Sequence, residues 1–334
     1  MALYDDSWDR PHTPGKGLSW QESDWLTFFD PVAGVGGIYR IGQEPNRGAG
    51  QPNLFVFALG GQRFLMRDLG GRGADIAMAP QDRWKTGYRV AGHEVDSLGD
   101  GRMRFRWEYA ETAADLEFHD SHYTPRDWSK SGKGAEIIAT LNADGHLECA
   151  GKLTGRVRIG DRSFDIDGFA HRDRSWGVRD HYMRRMKRAF GAWGTVGPAF
   201  SFAVMRLELT TGETLTTGFV DRDGQGEDIA DARFVSTLDA DFISPLAGVV
   251  HLRLENGEAL RIECGIAQAH GGFAPGTSFN SVGSFDWMGR SGFCDYSATA
   301  NPGGGDRIAC ASDATLIALE PGLTASACVG ADRA

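Results

Sequence analysis

Met103-Arg104-Phe105-Arg106-Trp107-Glu108-Tyr109 alternates apolar and charged side chains without a break. A period of two places Met103, Phe105, Trp107 and Tyr109 on one face of an extended chain and the charged residues on the other. The segment therefore predicts an antiparallel strand with one face on a core or cavity and one in water. Residues 53–59, 63–69, 116–118, 147–159 and 163–169 behave similarly, separated by Gly-Gly, Asp-Gly or Gly-Asp turns. In the second half, 199–209 and 214–220 flank Thr211-Gly212-Glu213, and 249–254 and 259–264 flank Glu255-Asn256-Gly257-Glu258. The Asn-Gly pair there predicts a type I′ hairpin.

One segment reads differently. Ser19-Trp20-Gln21-Glu22 has the form of a capping box ahead of Trp25, Leu26, Phe28 and Phe29, with Pro31 closing the run, and this predicts a short helix. The rest is all-β. Strand spacing of about 8–12 residues predicts sandwich or barrel units. A chain of 334 residues has room for two, assigned to 1–182 and 183–334. Residues 179–188 are expected to form a basic, helical connector.

The formal charge of −10 and pI near 5.4 oppose binding to nucleic acid or anionic membrane surfaces. No segment supplies the roughly 20 apolar residues of a membrane span, and residues 1–20 lack the pattern of a signal peptide. A cytoplasmic protein is expected. Cys149, Cys264, Cys294, Cys310 and Cys328 lie far apart with no CxxC pair, which predicts reduced thiols and no structural metal. His119-Asp120-Ser121-His122 offers two imidazoles without a third ligand and reads as a polar turn. There is no phosphate loop, no serine elbow, no zincin motif and no dinucleotide fingerprint, so no cofactor is expected.

The densest chemistry lies at His171-Arg172-Asp173-Arg174-Ser175-Trp176-Gly177-Val178-Arg179-Asp180-His181, just after the strand-like run ending at Phe169. Three readings stand. The arginines pin a domain junction by pairing with Asp173 and Asp180; or Asp173 and His171 perform acid/base chemistry in an apolar cavity; or the segment binds a ligand without reacting. If Trp176 and other apolar groups wall Asp173, burial raises its pKa and it can protonate an alkene. If a guanidinium contacts it, Asp173 stays ionised as a base or orienter, and His171 or His181 becomes the better acid.

The pattern Gly-x-x-His-Arg-Asp-x-Ser-Trp-Gly-x-Arg-Asp over 168–180 resembles the signature of the carotenoid 1,2-hydratase and AttH-like superfamily. The resemblance implies two consecutive lipocalin-like β-domains. It also implies hydratase or cyclase chemistry on isoprenoid-, steroid- or polyketide-like molecules, held in a cavity within or between the domains. The matching Asp-x-x-Trp-Gly element falls on Asp173, Trp176 and Gly177. The expectation is thus a cofactor-independent enzyme with Asp173 and His171 as the working pair. Trp176 would shape the cavity, and Arg172 and Arg179 would hold carboxylates or a substrate oxygen. His181, Trp107, Tyr109, Trp193 and Trp287 complete the candidate lining, the indoles able to face a developing cation. A carrier for the same kind of hydrophobic small molecule is the alternative from another class.

Overall fold

The computed structural model describes residues 5–60, 62–65, 76–119, 121–130, 135, 144–178, 186–238, 245–271 and 277–300. Within these the chain is almost entirely β, with three single-turn 3₁₀ segments at Asp6–Asp9, Pro45–Arg47 and Pro80–Asp82. The fold is that of two lipocalin-like domains in tandem. The first compact unit runs to residue 180 apart from 132–134, and the second begins at 181.

In the first unit the strands are β1 (Trp20–Asp30), β2 (Val35–Glu44), β3 (Ala49–Ala58), β4 (Gln62–Leu65), β5 (Ile76–Ala77), β6 (Gly87–Val90), β7 (His93–Gly99), β8 (Arg102–Tyr109), β9 (Thr112–His119), β10 (Arg126–Asp127), β11 (Gly145–Ile159) and β12 (Arg162–Val178). They run in the order β4-β3-β2-β1-β12-β11-β9-β8-β7-β6, with β5 on β3 and β10 on β11. The sheet curls until β6 and β7 meet β3 and β2. Tyr88 of β6 fastens that closure, its hydroxyl 2.9 Å from both the Ile41 carbonyl of β2 and the Asp24 carboxylate of β1. Inside lie Leu26, Phe28, Tyr39, Ile41, Phe105, Trp107, Leu116, Phe118 and Leu153.

β8 follows the predicted alternation: Met103, Phe105 and Trp107 are buried, Glu108 is exposed, and Tyr109 packs at the margin of the same core. Trp107 donates its indole N–H to Thr112 Oγ1 at 3.2 Å. The expected helix after Ser19 is instead β1, paired with β2 on one side and β12 on the other. As a central strand it buries both faces, so Trp25, Leu26, Phe28 and Phe29 lose the clean alternation that marks a half-exposed strand. Glu22 is no capping residue; its buried carboxylate is committed to Arg174.

The second unit is a closed eight-stranded barrel: β13 (Met186–Thr195), β14 (Ser201–Leu209), β15 (Thr214–Arg222), β16 (Gln225–Leu238), β17 (Pro245–Leu254), β18 (Ala259–Gly271), β19 (Thr277–Trp287) and β20 (Arg290–Ala300). Phe190, Phe202, Val204, Phe234, Val250, Ile262 and Tyr296 fill it. The hairpin at Asn256-Gly257 forms, though not as type I′. Only Gly257 takes positive φ, at 91°, and its N–H returns to the Leu254 carbonyl at 3.0 Å. That is a loop with one left-handed glycine, which asks nothing unusual of Asn256. The basic connector is corrected too: Met186, Lys187 and Arg188 open strand β13, and Lys187 pairs with Glu208 at 2.8 Å. Residues 179–185 lie outside the described residues. Cys149, Cys264 and Cys294 are buried free thiols.

Candidate functional site

The ionisable motif is not a loop following a strand. β12 continues unbroken to Val178, so the motif obeys the two-residue period and is sorted onto two faces of one sheet. Arg172, Arg174 and Trp176 share the face of Ala170 and the apolar core. His171, Asp173 and Ser175 take the other. The turn at 160–161 fixes the partners: β11 sets Cys149 opposite Arg172, Glu148 opposite Asp173 and His146 opposite Ser175, while β1 sets Trp25 opposite Asp173.

On the inner face Arg172 and Arg174 meet carboxylates. Arg172 grips Asp9 through two parallel bonds of 2.7 and 3.0 Å. Arg174 donates to both Asp24 oxygens at 2.7 Å and to Glu22 Oε1 at 2.7 Å. Burial opposes both guanidinium charges, but these carboxylates outweigh it and hold both arginines above their usual range. Burial, assisted by the Glu22 charge, raises Asp24 against the pull of Arg174. In Glu22 burial acts in the same direction, yet Arg174 and His12 prevail and lower it. His12 Nδ1 sits 2.7 Å from Glu22 Oε1, and its ring stacks on Trp176 at 3.8 Å.

The outer face holds a different arrangement. Glu148 is shared by two imidazoles: Oε2 accepts a short hydrogen bond from His171 Nε2, and Oε1 lies 2.7 Å from His146 Nε2. His146 Nε2 is also 3.3 Å from Asp173 Oδ2. His171 and Glu148 are 2% and 1% exposed, whereas the Asp173 side chain is 25% exposed, so the chain of groups runs from a sealed imidazole to an accessible carboxylate. Burial disfavours a charged His146, but the Asp173 charge and hydrogen bonds to Asp173 and Glu148 overcome it and push the imidazole up to about 10. At neutral pH His146 is an imidazolium. Trp128 stacks parallel to it at 6.1 Å. Arg40 of β2 reaches this side as well; burial lowers its guanidinium, with Asp173 among the charges pulling it back.

His171 and Asp173 are thus brought together, through His146 and Glu148, which the motif itself does not contain. Trp176 and Arg172 are on the opposite face from Asp173, so neither walls nor grips it; the period of the strand separates them. Trp107 and Tyr109 belong to the interior of the first unit, with Tyr109 5.5 Å from His93. Trp193 and Trp287 belong to the second unit, on opposite sides of its wall: Trp193 is out of register with the core residues Phe190 and Ala192, while Trp287 stacks on Phe200 at 3.8 Å. Arg179, Asp180 and His181 lie outside the described residues. His119 and His122 do not converge: His119 is 3.3 Å from Thr154 Oγ1, and His122 packs edge-on to Phe169. Among the described residues, the side chains that could together hold a metal ion are His146, Glu148 and Asp173, whose ligand atoms lie within 4.8 Å of one another.

Tandem lipocalin-like units, the first carrying a buried chain of carboxylates and imidazoles, define the class of protein. The chain belongs to the family described as a domain of unknown function, DUF7064, whose model matches residues 5–302. Among solved structures it is similar to CghA in complex with Sch210972, with a TM-score of 0.56 and 11% identity over 89% of this chain and 96% of that one. Kievitone hydratase from Nectria haematococca is similar at a TM-score of 0.52 and 10% identity, over 86% and 93% of the two chains. An AttH-like protein from Nitrosomonas europaea gives 0.49 and 12%, over 86% and 95%. At such identities the likeness is one of fold. A sequence comparison with curated proteins returns no match. Among the described residues no helix is long and apolar enough to cross a membrane.

Proposed function

We propose that the protein is an acid/base enzyme that needs no cofactor and acts on a hydrophobic small molecule, with Asp173 as the group that meets substrate. The observation carrying this reading is the chain His171–Glu148–His146–Asp173, which links a sealed imidazole to an accessible carboxylate through charge-assisted hydrogen bonds. The similar folds of kievitone hydratase and of CghA bound to Sch210972 accord with a small-molecule substrate.

The electrostatics select among reactions. A proton held at about 10 on His146 is too tightly bound to protonate an unactivated alkene. The imidazolium beside Asp173 favours a carboxylate there over a neutral acid. The pair suits a reaction that begins with deprotonation. Asp173 would take a proton from an activated C–H or O–H, leaving the bonding pair on the substrate, and His146 Nε2–H would return a proton where negative charge collects. The net result is isomerisation or ring closure. If the returned proton goes to a departing hydroxide, water is lost; the reverse is hydration. Glu148 and His171 would keep His146 charged and in place.

The test is native mass spectrometry of wild type and Asp173→Asn after exposure to an organic extract of the host. A compound bound by both and chemically changed only by wild type is the expected result. An unchanged compound released by both makes the protein a carrier.

A further inference from the structure

A second site is visible in the first unit, on the inner side of β1 and β2 and so across the sheet from Asp173. A cavity of about 770 Å³ opens among Gln43, Pro45, Met78, Arg83, Trp84 and Lys85. Behind its lining two polar atoms lack a partner. Gln43 is fully buried; its Nε2 donates to Glu22 Oε2 at 3.0 Å, which fixes the amide, while its Oε1 has no donor. Arg83 donates through Nη2 to the His12 carbonyl and lies 3.5 Å from Glu22 Oε2, but its buried Nε–H has no acceptor. Both atoms are sealed beneath the lining, so the groups open to a ligand are Lys85, Trp84 and Met78.

The charge around the cavity points the same way. Asp82 is taken by Arg89 at 2.8 Å, Glu44 by Arg47 and Gln51, Asp96 by the Trp84 indole N–H at 3.1 Å, and Glu22 by Arg174. With these carboxylates committed, Lys85 brings its positive charge to the cavity without an acidic partner of its own among the described residues. Trp84, its indole N–H pinned to Asp96, joins Met78 and Pro45 in an apolar wall beside that charge. A wall of this kind accepts a flat ring, and a cation at its edge accepts an anionic oxygen.

We propose that this cavity binds an aromatic or similarly flat apolar molecule carrying a carboxylate or phenolate. The ring lies against Trp84 and Met78, and the anionic oxygen meets Lys85 at the mouth. This is independent of the acid/base reading.

Titration calorimetry of the whole protein with 2-naphthoate, and with uncharged 2-naphthamide as the control, tests it. One naphthoate should bind per chain below about 1 mM, with the amide about tenfold weaker. Lys85→Glu, at an exposed position where folding is not at stake, should weaken naphthoate about tenfold and leave the amide unchanged. Asp173→Asn should leave naphthoate binding intact, which separates this site from the catalytic one. Equal binding of naphthoate and naphthamide, an unaltered Lys85→Glu, or no binding at about 1 mM would overturn the proposal.

Discussion

The two faces of β12 carry similar residues and opposite designs. Inward, Arg172 and Arg174 each meet carboxylates in short multiple bonds, with both oxygens of Asp24 engaged and Glu22 hydrogen-bonded by Arg174, His12 and Gln43 with Arg83 3.5 Å away. Outward, one carboxylate serves two imidazoles and a second stays part-exposed. The first arrangement fixes charge permanently, because guanidiniums do not titrate in the accessible range. The second contains groups that can exchange protons. Buried charge by itself therefore does not mark a reactive site; what distinguishes the outer face is a carboxylate shared between two imidazoles with a part-exposed carboxylate at the end of the chain, whereas the inner imidazole, His12, meets a Glu22 that Arg174 already holds.

The largest effect should come from breaking the inner face. Arg174→Met leaves Glu22 and Asp24 as adjacent buried carboxylates without their shared cation, and should cost about 3–5 kcal/mol in urea unfolding. Asp173→Asn, one residue away on the other face, removes a part-exposed charge from beside the His146 imidazolium and should cost less, about 1–2 kcal/mol. Next in size is His93, fully buried in the first unit and pushed down to about 4 by burial. Because its folded pKa is below the unfolded value near 6.5, its contribution is present above about 6.5 and is lost as pH falls toward 4. Wild type should lose on the order of 2–3 kcal/mol more over that interval than His93→Phe.

His146 has the opposite sign. Its folded pKa is raised to about 10, so its stabilisation is complete below the unfolded value and fades as pH rises through 10. Thermal stability from pH 7 to 10 should fall more steeply in wild type than in His146→Gln. The smallest expected signal is a null one. If His146 holds a proton and not a metal, elemental analysis of protein purified without added metal should find no stoichiometric zinc, iron or manganese, and a chelator should leave unfolding unchanged. One equivalent of metal would recast His146, Glu148 and Asp173 as its ligands.

Much of this is legible in the sequence. The alternation in β8 and the punctuation by glycine and aspartate give the all-β class, and the motif points to His171 and Asp173. β1 is not legible, because a central strand with Glu22 and Asp24 turned inward shows no simple polar face; only their partner Arg174, 150 and more residues away, explains them. Glu148 and His146 escape a reading of the motif alone, although a signal for them exists. Counting back from the Gly160-Asp161 turn pairs residue 173 with 148 and 175 with 146. A loop in place of the motif ends that count at Phe169. Carried on to Ser175, the hairpin rule places a His-x-Glu opposite the Asp-x-Ser of the motif.

The most direct test of the division between the faces is the turnover of a compound captured from the host extract by wild type, Asp173→Asn and Glu148→Gln, each measured with its unfolding free energy. Both variants should bind the compound and stay folded while turnover falls about 100-fold or more. Turnover retained in both would contradict it, and would leave the outer face of β12 as structural as the inner one.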